Sequence, residues 1–529
     1  MDGKWRRTLI VGFVLVATHA ASALYYAHRY ASGVIRTPTR AMTLDLTFDE
    51  WADATNGDDS TVYLRVAEHV ANNKGLIWQV PSSKPPRFEP FIFWGPGAPV
   101  VFGWWLKFVG GRTMFTFFMF AAIAQLAAGA LTVATTAQWT CSTVALSLVA
   151  VFSGFCPPLQ GWFYGVHLTS SEIVALPMLA LVFFSLNKAF QAWAAGGGSG
   201  EPQDSSPSTG IAAGGRRSEG SLGRHAPYAV AGRTARLRAI WRCIVPVGLS
   251  RSAWMWFGLT GILIGGSSLA RDCIRVFAWF VAIFVVSRAA VGDRRRIKAA
   301  LAVAVLLVAG EYAVRYPVQL WNKHRAGRST ICQTSDGCIW RYGIWAEHDQ
   351  FDWYESVGLG FGDYLDPEAG RRVRAYFDAG QPWPALYSFE QLLQAVAKRP
   401  IAAVAFKVSR LPMLWLDTDM WPRSEVCLQS LWCVAIYMML AIFVAMQVRR
   451  RRRIPEILYL YLTLVVCASP LIHFEFRYTF PVWNTLVLVP GLLVASLSRD
   501  GLPHSRGNRR SIESTTPEAN TPSGITLAA

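Results

Sequence analysis

The sequence contains no Cys-x-x-Cys pair; its nine cysteines are scattered, and no histidines and cysteines fall at metal-ligand spacing. That pattern speaks against zinc-finger and dithiol-redox classes. Charge is scarce as well: 16% of residues are charged against 52% hydrophobic, with a mean hydropathy of +0.27. Several apolar runs reach about 20 residues, enough to span a bilayer. They lack the alternation of barrel strands. Because lipid offers the backbone no hydrogen-bond partner, they are predicted to be helices. The net charge of +17 raises nucleic acid as a ligand. No basic face interleaved with exposed aromatics stands apart from the apolar runs, and that excludes it.

What charge there is has a pattern. Lys4-Trp5-Arg6-Arg7, Arg294-Arg295-Arg296 and the five arginines from Arg449 to Arg453 sit beside the ends of apolar runs, as topology determinants do. The first run, 8–26, follows basic residues, which places the N-terminus in the cytoplasm. A cleaved signal peptide, with processing at Ala21-Ser22-Ala23, is the rival reading. The broken aromatic run 91–109 is read as a helix lying on the outer membrane surface. The segments 113–137, 141–156, 168–186, 254–269, 274–291, 299–314, 427–448, 457–471 and 479–497 then alternate in direction. This keeps both termini and the main basic clusters inside. The predicted fold is an all-α polytopic membrane protein of about ten transmembrane helices, with external juxtamembrane helices and a small external loop subdomain.

The domain reading follows from these spans. An N-terminal membrane region covers 1–190 and carries an external loop, 28–112. A Gly/Ser/Pro-rich cytoplasmic linker, 191–251, is predicted to be disordered. Central membrane helices (252–314), an external region (315–426), C-terminal membrane helices (427–498) and a polar cytoplasmic tail (499–529) complete the chain. Cys332 and Cys338 lie in the external region, either bridged or free.

The external loop concentrates acid: Asp45, Asp49, Glu50, Asp53, Asp58, Asp59, Glu68 and Glu89. From Thr61 onward Val62, Val66 and Val70 share a helical face, with Asp59 and Ser60 near its N-cap. Acids just outside a membrane, followed by aromatics and a proline-rich re-entry, point to a site at the lipid–water boundary. Sugar transfer from a lipid phosphate needs a carboxylate to take the acceptor's proton. It also needs cations for the departing phosphate and a greasy groove for the tail. Arg271 and Arg477 stand at predicted outer ends of spans, and the planar guanidinium suits phosphate; snorkelling interfacial anchors are the plainer alternative. Glu172 lies near the outer end of its span, where a carboxylate is a functional candidate or an arginine's ion-pair partner. Glu475 and Asp272 are further candidates for pairing with these arginines.

The set Asp59-Ser60-x-x-Tyr63-x-x-x-Ala67, Pro96-Gly97-Ala98-Pro99, Thr169-Ser170-Ser171-Glu172, Gly265-Gly266-Ser267-Ser268-Leu269-Ala270-Arg271 and Arg477-Tyr478-x-x-Pro481 resembles the GT-C glycosyltransferases. Within these it is most similar to the bacterial group related to protein O-mannosyltransferases and lipid A aminoarabinose transferases. Gly95 and Asp272 stand where that family commonly has proline. The resemblance implies an acidic residue of the first loop as catalytic base, a polyprenyl-phosphate sugar as donor, and neither metal nor other cofactor. Carried over, the base is Asp59, with Asp58 as the fallback. Arg271 and Arg477 hold the donor phosphate. Tyr63, Trp94, Glu172, Glu475 and Tyr478 are candidates for lining the site.

The expected function is transfer of a sugar to an acceptor on the exported side of a bacterial inner membrane, with membrane lipid as a further partner. A flippase or transporter of lipid-linked saccharides is the alternative. It requires polar residues mid-span, and the spans read as largely apolar. In a non-catalytic scaffold, Asp59 would merely cap a helix.

Overall fold

A computed structural model describes residues 3–36, 40–55, 59–79, 88–91, 95–165, 168–196, 250–292, 296–327, 329, 331, 397–398, 400–401, 423–450, 452, 454–468 and 480–498. Helix α1 (Gly3–Ala31) leads into the external loop, which holds α2 (Phe48–Ala54), α3 (Asp59–Ala71) and α4 (Gly97–Val109). There follow α5 (Met114–Thr136), α6 (Thr143–Gly154), α7 (Pro157–Phe163) and α8 (Ser171–Gly196). The second half comprises α9 (Arg251–Ala270), α10 (Arg275–Gly292), α11 (Ile297–Ala326), α12 (Arg423–Arg449), α13 (Glu456–Ala468), α14 (Phe480–Leu486) and α15 (Val489–Leu497).

Among the described residues, eight helices are long and apolar enough to cross a membrane. The protein is therefore a multi-pass membrane protein. The last two predicted spans differ from the rest. Helix α13 has 13 residues, rising about 20 Å. The segment beyond residue 479 is split at Val487 and Leu488, with Pro490 in the first turn of α15, where its missing N–H is tolerated.

Small residues let the central helices approach closely. On α9, a Cβ at Gly261 would lie 2.5 Å from the Leu307 carbonyl oxygen of α11, and one at Gly265 would lie 2.7 Å from that of Glu311. Polar side chains in the interior bridge helices. Thr132 donates to Asn484 Oδ1 at 3.1 Å, the Ser185 and Thr260 hydroxyls meet at 3.0 Å, and Trp139 Nε1 donates to Asn187 Oδ1 at 3.1 Å. The spans are thus less apolar than the sequence reading has them. Single serines, threonines and asparagines hardly alter a span's hydropathy, yet they cross-link it. Ser22, in the rival processing site, is buried mid-helix in α1.

The external loop is tied to the start of α5: Met114 N–H donates to Leu46 O at 3.0 Å and Phe115 N–H to Leu44 O at 2.8 Å. The end of α1 and the start of α5 therefore lie on the same side, and α4 between them does not cross. Its 13 residues also fall short of a hydrocarbon core of about 30 Å. Helix α3 packs on α4 where Gly103 leaves room for Val70. Two short antiparallel strands, β1 (Ile77–Gln79) and β2 (Phe88–Pro90), pair with Ile77 opposite Pro90. They are an addition to the all-helical expectation, too short to show an alternating pattern. Trp51 of α2 is fully buried beside Tyr30, so aromatic packing seats the loop on the bundle.

A capping box starts α2. The Thr47 N–H and hydroxyl both reach Glu50 Oε2 at 2.9 Å, and Glu50 N–H donates back to Thr47 Oγ1 at 3.3 Å. The Thr47 backbone and hydroxyl hold the Glu50 carboxyl below its ordinary value of 4.5.

Two boundaries shift from expectation. Helix α8 runs through Gly196, into the predicted linker, and α11 runs to Ala326, twelve residues past the predicted end of its span. The α11 extension continues through Pro317 into a polar run ending Lys323-His324-Arg325, which hydropathy alone discounts. Cys332, Cys338 and nearly all of 328–422 lie outside the described residues, as do 197–249 and 499–529.

Gly261→Val is expected to lower stability by about 1–3 kcal/mol through overpacking against a backbone. Gly258→Ala, whose Cβ would meet Leu306 at an ordinary 3.5 Å, is expected to be nearly neutral. Thermal unfolding in detergent separates them. Thr47→Ala is expected to speed amide exchange in α2 roughly fivefold. The depressed Glu50 value means that the cap is intact above pH 4.5 and is lost as pH falls through the lower folded-state value. Exchange measured along an acid series reads this directly.

Candidate active site

Three stretches remote in sequence meet at the end of the bundle where α4 lies. Helix α9 ends at Ala270, and Arg271 caps it in extended conformation, φ −138°, ψ 101°, its N–H donating to Ser267 O at 2.9 Å. The extended residue turns the chain off the helix axis. Against this end lies the start of α4. A Cβ at Gly95 would strike the Leu269 carbonyl oxygen, and one at Gly97 would lie 2.7 Å from the Leu269 carbonyl carbon and 2.8 Å from Ala270 N. Neither obstacle is a side chain that could swing aside. The lack of proline at Gly95 has its reason here: no ring fits between the two backbones.

The third stretch begins α8. Thr169, Ser170, Ser171 and Glu172 are all buried. Glu172 Oε1 lies 2.6 Å from Arg271 Nη1, with the two side chains 6% and 18% exposed. Ser171 accepts from the same nitrogen at 3.3 Å and donates to Glu172 Oε2 at 3.1 Å. A carboxylate so deeply buried is held by its partner and by hydrogen bonds. The pair neutralises the charge locally and fixes the guanidinium plane at the rim. Asp272, in the tight turn 272–274, reaches Arg275 at 3.6 Å.

The acidic loop helix α3 is joined to this end of the bundle through α4. Asp59 is the first residue of α3, where a carboxylate is favoured by the helix dipole, and α3 packs on α4, which abuts Arg271's helix. Arg65 of α3 binds Asp49 Oδ1 at 2.5 Å and Glu68 Oε2 at 3.2 Å, linking α2 to α3. Half-buried and flanked by these two carboxylates, its guanidinium is held above its ordinary value, with burial working against the rise. The Asp49–Arg65 link is invisible in the sequence pattern. Tyr63, a candidate for lining the site, is 4% exposed and packs edge-on against Phe91, so it belongs to the loop's own core. Asp58, Trp94, Glu475, Arg477 and Tyr478 lie outside the described residues. Among the described residues no group of three or more His, Cys, Asp and Glu side chains is placed to hold a metal ion.

No protein-family model and no curated protein matches the chain. Solved structures of the Archaeoglobus fulgidus oligosaccharyltransferase do align with it. One, with a tethered acceptor peptide containing the NVT sequon, is 13% identical over 91% of this chain and 49% of its own, with a TM-score of 0.44. Another, AglB in complex with an inhibitory peptide and a dolichol-phosphate, is 13% identical over 96% of this chain and 52% of its own, with a TM-score of 0.46. The chain thus spans about half the length of these neighbours.

Glu172→Gln is expected to cost about 3–5 kcal/mol by leaving the Arg271 charge buried without its counter-ion. Combining Glu172→Met with Arg271→Met is expected to recover most of that loss. The comparison of unfolding midpoints in one detergent checks it.

Proposed function

We propose that this protein is a membrane glycosyltransferase of the GT-C kind, moving a sugar from a polyprenyl-phosphate carrier to an acceptor at the exported face of a bacterial inner membrane. The observation that supports this reading most directly is the Arg271–Glu172 pair, held at 2.6 Å where the Gly95–Gly97 segment of the acidic loop abuts the end of α9. An arginine fixed at the membrane boundary is suited to a phosphate that gains negative charge as it departs.

In this reading Asp59 takes the proton of the acceptor hydroxyl. The acceptor oxygen bonds to the anomeric carbon as the bond from that carbon to the phosphate oxygen breaks, and the configuration inverts. The bonding electrons leave with the polyprenyl phosphate, whose added charge Arg271 and Arg477 stabilise. Glu172 acts as a positioning residue by holding Arg271 at the rim. Trp94 and its aromatic neighbours line the groove for the lipid. Affinity with the bacterial protein O-mannosyltransferase and aminoarabinose transferase group rests on the motif order alone.

Transfer by purified protein supplied with polyprenyl-phosphate sugars is expected to fall by roughly 10²–10⁴-fold in Asp59→Asn, the usual contribution of a general base, without loss of folding. Near-normal transfer in a well-expressed variant rejects the assignment. Asp58→Asn, measured beside it, is expected to retain most activity.

A further inference from the structure

A second charged site lies at the opposite end of the bundle. Between the ends of α10 and α13 is a cleft of about 590 Å³, whose lining includes Phe284, Ser287, Arg288, Arg452, Glu456 and Tyr459. In the sequence the basic clusters Arg294–Arg296 and Arg449–Arg453 adjoin the ends of these helices, and that distribution of positive charge points to the cytoplasm. Glu456 is 2% exposed and paired with Arg288, which is 45% exposed. These two cancel. Arg452 does not share that compensation. Its Nη1 is buried and has no hydrogen-bond partner among the described residues, although its backbone N–H is fixed on Gln447 O at 2.8 Å. A buried guanidinium nitrogen without an acceptor is costly, and its presence in a cleft calls for an anionic acceptor that occupies the cleft.

We infer that this cleft binds the phosphodiester headgroup of an anionic phospholipid from the cytoplasmic leaflet. Arg452 supplies a guanidinium nitrogen with no acceptor among the described residues, and Arg288 supplies a second guanidinium whose direction is set by Glu456. Basic pockets between transmembrane helices on the cytoplasmic side have the chemistry for such headgroups. The aromatic pair Phe284–Tyr459, with ring centroids 6.0 Å apart, gives one wall an apolar surface on which the glycerol and upper acyl chain can rest. A free phosphate would satisfy the arginines but leave that wall uncovered. The Glu456 carboxylate lines the same cleft, and Arg288 offsets its charge through Oε1. This site is independent of the sugar-transfer reading.

The test uses the full chain in nanodiscs of phosphatidylcholine, titrated separately with short-chain phosphatidylglycerol, short-chain phosphatidylcholine and inorganic phosphate, with bound molecules counted by native mass spectrometry. Saturable phosphatidylglycerol binding is expected, at least roughly tenfold tighter than either comparison ligand, the scale of one charge-assisted hydrogen bond. Arg452→Gln is expected to weaken it by roughly tenfold or more. Ser287→Trp, which keeps both arginines and fills the cleft from an exposed position, is expected to do the same. Binding left unchanged by both variants overturns the site. Inorganic phosphate binding as tightly as phosphatidylglycerol overturns the lipid as its occupant. Arg288 is left intact, so that Glu456 keeps its partner and neither variant creates an orphaned buried charge.

Discussion

Everything at the rim around Arg271 depends on how closely two backbones approach. Gly95 and Gly97 lie against Leu269 and Ala270 with no space for a methyl group. That closeness fixes the height of α4 relative to α9, and therefore the height of the acidic loop relative to Arg271. A side chain at either glycine would push the loop off the bundle by the width of a carbon atom. The same device recurs below the rim. Gly261 and Gly265 bring α9 onto α11, so the helix that ends in Arg271 is positioned along its length by contacts in which backbone meets side chain-free backbone. In lipid, where water does not drive apolar surfaces together, such packing is the available source of cohesion.

The electrostatics follow from the same setting. A lone glutamate this deep would be expensive, and the buried carboxylates among the described residues each have an arginine: Glu172 with Arg271, Glu456 with Arg288, and Glu311 with Arg315 at 2.8 Å. The first two join different helices and so act as staples as well as neutralisers. The third joins adjacent turns of α11 and leaves its neighbours independent. Arg271–Glu172 is the pair whose removal would alter both the rim's shape and its charge.

Much of the bundle was legible because a bilayer leaves the chain few options. Eight long apolar stretches became long helices, and 113–137, 254–269 and 274–291 landed within a few residues of α5, α9 and α10. Where hydropathy misled, a polar residue was being satisfied within its own helix. Glu311 and Arg315 read as the end of a span, yet their pairing lets α11 continue. In the candidate site, Glu172 and Arg271 stood out as charges at predicted span ends, and Glu172 as a partner for an arginine, but nothing in the pattern said which arginine. The glycines at 95 and 97 were conspicuous as a motif, while their purpose is visible only against the partner backbone. Asp49 and Arg65 gave no signal at all, since an exposed acid and an exposed base are ordinary in any loop.

Helix α11 has a consequence for the whole external face. Its 30 residues rise about 45 Å, against a hydrocarbon thickness of about 30 Å, so upright it overshoots the lipid by several turns. The final turn carries Lys323 and Arg325, cations that suit the negative end of the helix dipole. The bundle thus raises a basic mast beside the rim, ended by Gly327 at φ 69°, and the chain turns back so that Ile331 O accepts from Asn322 Nδ2 at 2.9 Å.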